Sequence, residues 1–159
     1  FGGHAAAGGF AIAPENIGKF SELLREEGER VLPEKIPLPS LFVEAEVVPH
    51  EVTWELCDLL ARFEPYGEGN RRPTLLLRNA TVASARLVGE KEGHLKMILK
   101  TTDEEGVAKF LNCIGFGLSE RMRLCDAGAC VDVVFELDAN EWNGTKELQL
   151  KLKDIRKSV

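Results

Sequence analysis

The sequence predicts an α+β protein in which a small layer of helices and short strands precedes a five-stranded barrel. Residues 14–63 contain two stretches with apolar side chains at helical spacing, whereas residues 74–157 show the alternation of apolar and polar side chains that is typical of strands. The segment 65–73, rich in glycine and proline, separates the two parts. With 159 residues and 44% hydrophobic content, the chain is large enough for one domain or two small ones.

The first 63 residues are predicted to form helix, strand, helix, strand and helix in that order. Two glycines precede Ala5 to Ala7, which favour a short helix, and residues 10–13 look like a short buried strand. Pro14 opens an amphipathic helix, residues 41–48 alternate as a strand, and Thr53 can cap the last helix. The apolar stripes of the two longer helices comprise Ile17, Phe20, Leu23, Leu24 and Val31 in the first, and Leu56, Leu59, Leu60 and Phe63 in the second.

The rest of the chain is predicted to form three strands, a short helix and two more strands. In the second strand, the apolar residues Leu95, Met97 and Leu99 alternate with Lys96 and Lys100, which places both lysines outside. This order matches a five-stranded oligonucleotide/oligosaccharide-binding (OB) barrel, although small barrels of the SH3 kind give similar patterns. The strands are expected at residues 74–88, 94–101 and 107–116 and on both sides of a hairpin within 131–156, and the helix at 119–124.

The last hairpin is the place where local chemistry fixes a strand register. Asn143-Gly144 is the strongest short signal for a two-residue type I′ turn, because both central residues need positive φ. A turn there sets Trp142 opposite Thr145, at the tip and on the polar face, where the indole either packs under a neighbouring domain or is offered to a ligand. Counting back pairs Ala139 with Leu148, Leu137 with Leu150 and Phe135 with Leu152 on the apolar face, and Asp138 with Gln149 and Glu136 with Lys151 on the polar face.

Charge is distributed unevenly along the chain. The formal net charge is −6, yet residues 1–70 carry five Lys/Arg against thirteen Asp/Glu, whereas residues 71–159 carry fifteen against thirteen. This asymmetry favours two modules with different roles. No apolar run approaches the roughly 20 residues of a membrane span, so we expect a soluble, cytoplasmic protein without membrane partners. The four cysteines contain no C-x-x-C pair, which favours free thiols over a metal site.

The N-terminal Gly2, Gly3 and His4 allow two interpretations. Consecutive N–H groups that converge before a helix form an anion site, and His4 would then touch a phosphate. The alternative, a tight helix start in which the glycines permit close packing, is favoured by these three residues taken alone.

Three separated motifs carry a resemblance to a known family. Phe1-Gly2-Gly3-His4-Ala5 resembles a Gly-Gly-His motif, and residues 65–70 resemble a Pro-Phe-Gly-x-Gly-Asn segment that leads into a barrel. His94-Leu95-Lys96 and residues 140–144 resemble the second strand and final hairpin of that barrel. In this order the motifs resemble the bacterial RecJ single-strand-specific exonucleases of the DHH phosphoesterase superfamily. The resemblance implies the end of a DHH-associated domain at residues 1–66 and an OB domain at 67–159.

The resemblance implies a 5′→3′ exonuclease that degrades single-stranded DNA with two metal ions, Mn²⁺ or Mg²⁺, in recombination and repair. Those ions are held by a DHH domain that we expect to lie before Phe1, and no Asp-His-His motif occurs in the chain. We therefore expect the chain to bind no metal cofactor and to be inactive alone. The resemblance also assigns substrate phosphate to Gly2, Gly3 and His4, and it implies the DHH domain, single-strand-binding protein and other repair proteins as partners.

An OB barrel binds a strand across its second and third strands. On that basis Lys96, Lys100, Lys109 and Phe110 are the candidate DNA-binding residues of the face, and Trp142 is the candidate of the last loop. Arg71 and Arg72 are further candidates; Arg71 stands where the family commonly has proline, which predicts an added phosphate contact. The alternative function is a protein-interaction or structural module, which the negative charge favours. A self-sufficient hydrolase is the weakest interpretation, since His4 has no paired nucleophile or metal cluster.

Overall fold

A computed structural model describes residues 2–4, 7–32, 39–102, 106–142 and 144–158. The chain divides into two compact units, Phe1–Ser40 and Leu41–Val159, and each is described by itself. The domain boundary between residues 66 and 67 falls inside the second unit and stays a prediction.

The first unit begins with a two-stranded hairpin. Strands β1 (Gly2–His4) and β2 (Ala7–Gly9) pair antiparallel, with His4 opposite Ala7. The helix predicted to run through Ala7 is therefore wrong, and Ala5 and Ala6 lie outside the described residues. Helix propensity is a weak preference, and glycine permits the closer strand approach: a Cβ on Gly3 would lie 2.9 Å from the carbonyl oxygen of Ala7.

Helix α1 (Ile17–Val31) follows a 3₁₀ turn at Pro14–Asn16 and confirms the first predicted amphipathic helix. The short buried strand predicted at residues 10–13 is wrong, because Phe10 is 55% exposed and has no strand partner among the described residues. Its ring packs instead against Phe20 of α1, with ring centroids 4.8 Å apart.

The second unit contains a short strand, a helix and five longer strands in the predicted order. The 3₁₀ helix at Ser119–Leu124 connects the third long strand to the fourth, as predicted. Thr53 caps the helix as expected, since its hydroxyl accepts a hydrogen bond from the N–H of Leu56 at 3.3 Å. The elements are β3 (Ala45–Val47), α2 (Trp54–Ala61), β4 (Leu75–Val88), β5 (His94–Thr102), β6 (Ala108–Gly115), β7 (Cys130–Trp142) and β8 (Thr145–Lys157).

Five strands close into a barrel, which confirms the OB prediction. β4, β5 and β6 form an antiparallel meander, β6 pairs parallel with β8, and β7 pairs antiparallel with both β8 and β4. β3 adds a parallel strand beside residues 75–77 of β4 and is shorter than the predicted 41–48. The barrel is filled by buried apolar residues that include Leu77, Val82, Leu95, Met97, Leu99, Leu111, Cys113, Val133, Phe135, Leu137, Leu150 and Ile155.

The register of the final hairpin is the predicted one. Trp142 pairs with Thr145, and all five pairs expected on the two faces of the ladder are present. Phe135, Leu137, Leu150 and Leu152 of the apolar face are buried. Gly144 has the positive φ of +77° expected in the turn, while Asn143 lies outside the described residues.

The segment between α2 and β4 forms an ordered elbow. Gly67 and Asn70 exchange two backbone hydrogen bonds of 2.9 and 3.2 Å. The side-chain amide of Asn70 donates to the carbonyl oxygens of Phe63 and Pro65, both at 2.9 Å. The hydroxyl of Tyr66 donates to the carbonyl oxygen of Leu60 at 2.5 Å. The glycines and prolines of this segment predict a non-helical elbow, and its own side chains hold it to the end of α2.

Candidate nucleic-acid interface

The outer face of β5 and β6 carries two lysines beside an exposed aromatic ring. Lys96 and Lys100 are exposed, whereas Leu95, Met97 and Leu99 are buried, which confirms the predicted orientation of the two lysines. Across the ladder, Lys100 lies opposite Phe110, whose side chain is 62% exposed, and Lys96 lies opposite Ile114. Within the described chain neither lysine forms an ion pair. No acidic group in the described part of the chain therefore neutralises either lysine.

Arg86 on β4 extends this face. It pairs with Lys96 across the β4–β5 ladder, is exposed, and has no acidic partner among the residues that the structure describes. Sequence reasoning missed Arg86, although the turn predicted at residues 89–93 contains the signal. Counting outward from that turn pairs Val88 with His94 and then Arg86 with Lys96.

A third cation on the row of Arg86 and Lys96 is compensated. Lys151 of β8 lies opposite Ile114, so that Arg86, Lys96, Ile114 and Lys151 form one row across four strands. The ammonium group of Lys151 forms an ion pair with Asp138. Burial raises the pKa of the Asp138 carboxyl, but the hydrogen bond from Lys151 and the charges of Lys151 and Arg72 outweigh burial and lower the pKa below its usual value. The open part of the row is therefore on β4 and β5.

A second exposed aromatic follows β6. The side chain of Phe116 is 63% exposed, and the centroid of its ring lies 5.2 Å from that of His94 at an interplanar angle of 71°. His94 is the first residue of β5 and belongs to the same outward series as Lys96 and Lys100. Sequence reasoning missed Phe116, because it lies in the turn after the strand and only its ring contact with His94 assigns it to this face.

Lys109 and Arg72, two of the predicted DNA-binding residues, are engaged elsewhere. The ammonium group of Lys109 donates to the carbonyl oxygens of Val52 at 2.7 Å and Pro49 at 3.2 Å. Successive residues of a strand point to opposite sides, so Lys109 does not share the face of Phe110. The guanidinium group of Arg72 lies over the ring of Tyr66, 4.8 Å from the ring centroid, and pairs with Glu64 at 3.1 Å and Asp138 at 3.4 Å.

The remaining predicted residues are not members of this row. Arg71 is exposed in the elbow; hydrogen bonds from Thr74 lower the pKa of the nearby Glu44, and the charge of Arg71 adds to this shift. Gly2, Gly3 and His4 are exposed in the hairpin of the first unit. The backbone of Trp142 ends β7, while its side chain lies outside the described residues.

Neither a metal cluster nor a membrane helix is present in the described part of the chain. No group of three or more His, Cys, Asp or Glu side chains is placed there to hold a metal ion. All four cysteines are free, and burial raises the pKa of the thiols of Cys57, Cys113 and Cys125. No helix among these residues has the length and apolar character to cross a bilayer.

Comparison with known proteins finds relatives that cover nearly the whole chain. Bacillus subtilis (strain 168) single-stranded-DNA-specific exonuclease RecJ is 29% identical over 154 residues, which are 97% of this chain and 19% of that protein. The Escherichia coli (strain K12) protein of the same name is 26% identical over 155 residues, or 98% of this chain and 26% of that protein. The chain thus spans about a fifth to a quarter of the length of these relatives.

Solved structures agree with this assignment. The crystal structure of Thermus thermophilus RecJ in complex with Mg²⁺ superposes with a TM-score of 0.60 at 24% identity, covering 94% of this chain and 21% of that one. The complex with Mn²⁺ gives 0.58 at 26% identity, covering 94% and 20%. The family model described as RecJ OB domain matches residues 43–154, a range that contains β3 to β7 and most of β8. The barrel and its preceding elbow are therefore those of this family, and the chain belongs to the RecJ OB domain family.

Proposed function

We propose that this chain is the single-stranded-DNA-binding part of a RecJ-like exonuclease, and that an unpaired strand lies on the outer face of β4, β5 and β6. The observation that carries the proposal is the set of three exposed cations, Arg86, Lys96 and Lys100, without acidic partners in the described chain, next to the exposed ring of Phe110. Although the net charge of the chain is −6, three cations without described acidic partners make this face locally positive, and a positive face attracts an anionic ligand such as DNA.

The two kinds of side chain have separate roles. The cations contact phosphates, which gives affinity that is independent of sequence and falls with salt. Phe110 stacks on a base, a contact worth ~1–3 kcal/mol that any base can make. Such a face holds a strand of any sequence, as an enzyme that digests along a strand requires.

The wider activity of the parent protein belongs to the same proposal. We infer a cytoplasmic 5′→3′ exonuclease of recombination and repair whose Mn²⁺ or Mg²⁺ ions are bound by a DHH domain outside this chain. Gly2, Gly3 and His4 then contact substrate phosphate, and Trp142 and Arg71 add contacts to the strand. The names of the relatives and the motif resemblance support this inference.

A salt titration tests the binding face. The double variant Lys96→Ala/Lys100→Ala is titrated with a labelled oligothymidylate at several salt concentrations and compared with the unchanged chain. We expect the log–log slope of affinity against salt to fall by ~0.7 for each phosphate that the variant no longer binds. The charge-matched control is Lys153→Ala/Lys157→Ala, on the part of β8 beyond its pairing with β6, and its slope should stay unchanged. Equal slopes for both double variants would place the strand elsewhere.

A second candidate is a protein-interaction module without direct DNA contact. It is favoured by the net negative charge and by exposed apolar side chains away from the cationic face, such as Leu41 and Phe42. The same titration separates the two functions, because this candidate predicts no salt-dependent binding of the unchanged chain.

A further inference from the structure

Phe116 extends the aromatic surface of the barrel beyond Phe110. The two phenylalanines, Phe116 and Phe110, are similarly exposed, at 63% and 62%, and they lie six positions apart in the chain. Phe110, Asn112 and Ile114 occupy the same ladder rows as Lys100, Ile98 and Lys96 of the outer face. Phe116 follows the last residue of β6, and its ring contacts His94 of the same outward series. At ~3.3 Å per residue, the two rings mark the ends of a track about 20 Å long.

The ring of Phe116 packs against His94, whose imidazole is itself held on two sides. The Nδ1 atom of His94 accepts a hydrogen bond of 3.2 Å from the N–H of Gly117, the residue after Phe116. On the other side the imidazole packs against Gly89, where an added Cβ would lie 3.0 Å from the Cδ2 atom of His94. The imidazole is thus fixed between the β4–β5 turn and the turn after β6, and its neighbour Phe116 meets it edge to face.

This fixation has a consequence for binding. A side chain that is already ordered loses little conformational entropy when a ligand packs on it. A single exposed ring is common on a protein surface, but Phe116 lies at the end of the outer face, next to the row that contains Lys96 and Arg86. Cations for phosphates and a rigid ring for a base are the two components of a single-strand site.

We propose that Phe116, positioned by His94, is a second base-stacking residue, so that a bound strand runs from Phe110 past Lys100 and Lys96 to Phe116. The inference rests on the proposed function and adds the extent of the site to it. A strand engages both rings only when it is long enough to cover the track. One OB barrel binds about 4–16 nucleotides, so strands within this range should include both those that cover the track and those that do not.

The test measures affinity against oligonucleotide length. Phe116→Ala and the unchanged chain are titrated with oligothymidylates of about 4 to about 16 nucleotides. For strands that cover the track, the variant should bind about tenfold more weakly, within the range expected for the loss of one stacked base. For the shortest strands, which engage one ring at a time, the loss should be about twofold at most. The control is Phe42→Ala, since Phe42 is 78% exposed and precedes β3. This variant should bind oligothymidylates of every length as tightly as the unchanged chain does.

The role of His94 is tested by a double-mutant cycle. His94→Leu should weaken binding of long strands in the unchanged chain but have no further effect in Phe116→Ala, because a positioning residue acts only through the ring it positions. His94→Asn keeps an acceptor for the N–H of Gly117 and should recover much of the affinity. Equal losses from His94→Leu in both backgrounds would show that His94 does not act through Phe116.

The outcomes separate this inference from the function on which it rests. If the unchanged chain binds and the lysine variant lowers the salt slope, but Phe116→Ala binds every length like the unchanged chain, the second stacking residue is refuted and the binding face stands. If the unchanged chain binds no oligonucleotide, the proposed function itself fails. Thermal unfolding of Phe116→Ala, expected to match that of the unchanged chain because the ring is exposed, excludes loss of fold as the cause.

Discussion

At the scale of single residues, Asp132 is a buried charged group of β7 in the barrel wall. Its side chain is only 4% exposed, and its carboxyl accepts hydrogen bonds from the Ser158 hydroxyl at 2.7 Å, the Arg156 Nε at 3.0 Å and the Asn79 N–H at 3.1 Å. Asn79 has a φ of +54° at an irregularity in the β4–β7 ladder. Asp132 therefore ties this irregular point of β4 to the end of β8.

Asp132→Asn is expected to destabilise the barrel and to make its stability depend less on pH in the acidic range. Burial raises the pKa of Asp132, but the hydrogen bonds from Ser158, Asn79 and Arg156 together lower it below its ordinary value. A lowered pKa gives stability that is present above the unfolded value of about 3.9 and is lost as the pH falls through the folded value. Urea unfolding across that acidic range should show a steeper loss in the unchanged chain than in the variant, and at neutral pH the variant should be less stable by ~1–3 kcal/mol.

The control for this measurement is Asp58→Asn, which changes an exposed carboxyl of α2. It should leave both the stability at neutral pH and the slope in acid as they are. A parallel acid response of Asp132→Asn and the unchanged chain would mean that another carboxyl governs the acid transition.

At the scale of elements, Arg72 joins the elbow to the barrel. It pairs with Glu64, which follows α2, and with Asp138 of β7, and it covers the ring of Tyr66. Asp138 also pairs with Lys151 of β8. One arginine thus links the segment before the barrel to the strand pair that closes it, which is a structural role that its place beside Arg71 in the sequence does not reveal.

Arg72→Met is expected to lower stability without changing the salt dependence of DNA binding. The variant keeps much of the apolar stem but loses two ion pairs, both partly exposed, and the cation–π contact, so a loss of ~1–2 kcal/mol is expected. Arg71→Met, at the exposed neighbouring position, is the matched control and should unfold like the unchanged chain. Thermal unfolding and the salt titration together check this expectation; a lower salt slope for Arg72→Met would assign Arg72 to the strand after all.

The elements also show where sequence reasoning succeeds and where it stops. The final hairpin is predictable pair by pair, because its turn residues and its alternation require the same register. The pattern places Lys109 beside Phe110, although adjacent residues in a strand face opposite ways, and the carbonyl partners of Lys109 at Pro49 and Val52 come from a distant loop. Arg86 could have been found by extending the register of β5 to β4. Phe116 depends on a ring contact with His94 beyond the end of β6, and the β1–β2 hairpin depends on glycine contacts that alanine propensity does not express.

At the scale of the whole molecule, barrel closure places the core and the proposed binding face on opposite sides of the same strands. Every barrel strand contributes residues to one shared core, so loss of packing at one strand affects all of them. The outer face of β4, β5 and β6 carries the cations and exposed rings, which contribute little to that core. Most substitutions should therefore change either stability or affinity, and two phenylalanines allow a direct comparison.

Phe135→Ala and Phe110→Ala remove the same atoms from the two faces. Phe135 of β7 is fully buried, so its removal should cost ~3–5 kcal/mol through reduced burial and a cavity, a large share of the ~5–15 kcal/mol that stabilises a typical domain. Phe110 is exposed, and its truncation should change stability by about 0.5 kcal/mol or less while weakening oligothymidylate binding by ~1–3 kcal/mol. Urea unfolding followed by circular dichroism and tryptophan fluorescence, together with an oligonucleotide titration, checks both halves. A destabilising Phe110→Ala, or a Phe135→Ala whose two probes unfold at different urea concentrations, would contradict the division between a single cooperative core and a binding face that the core only supports.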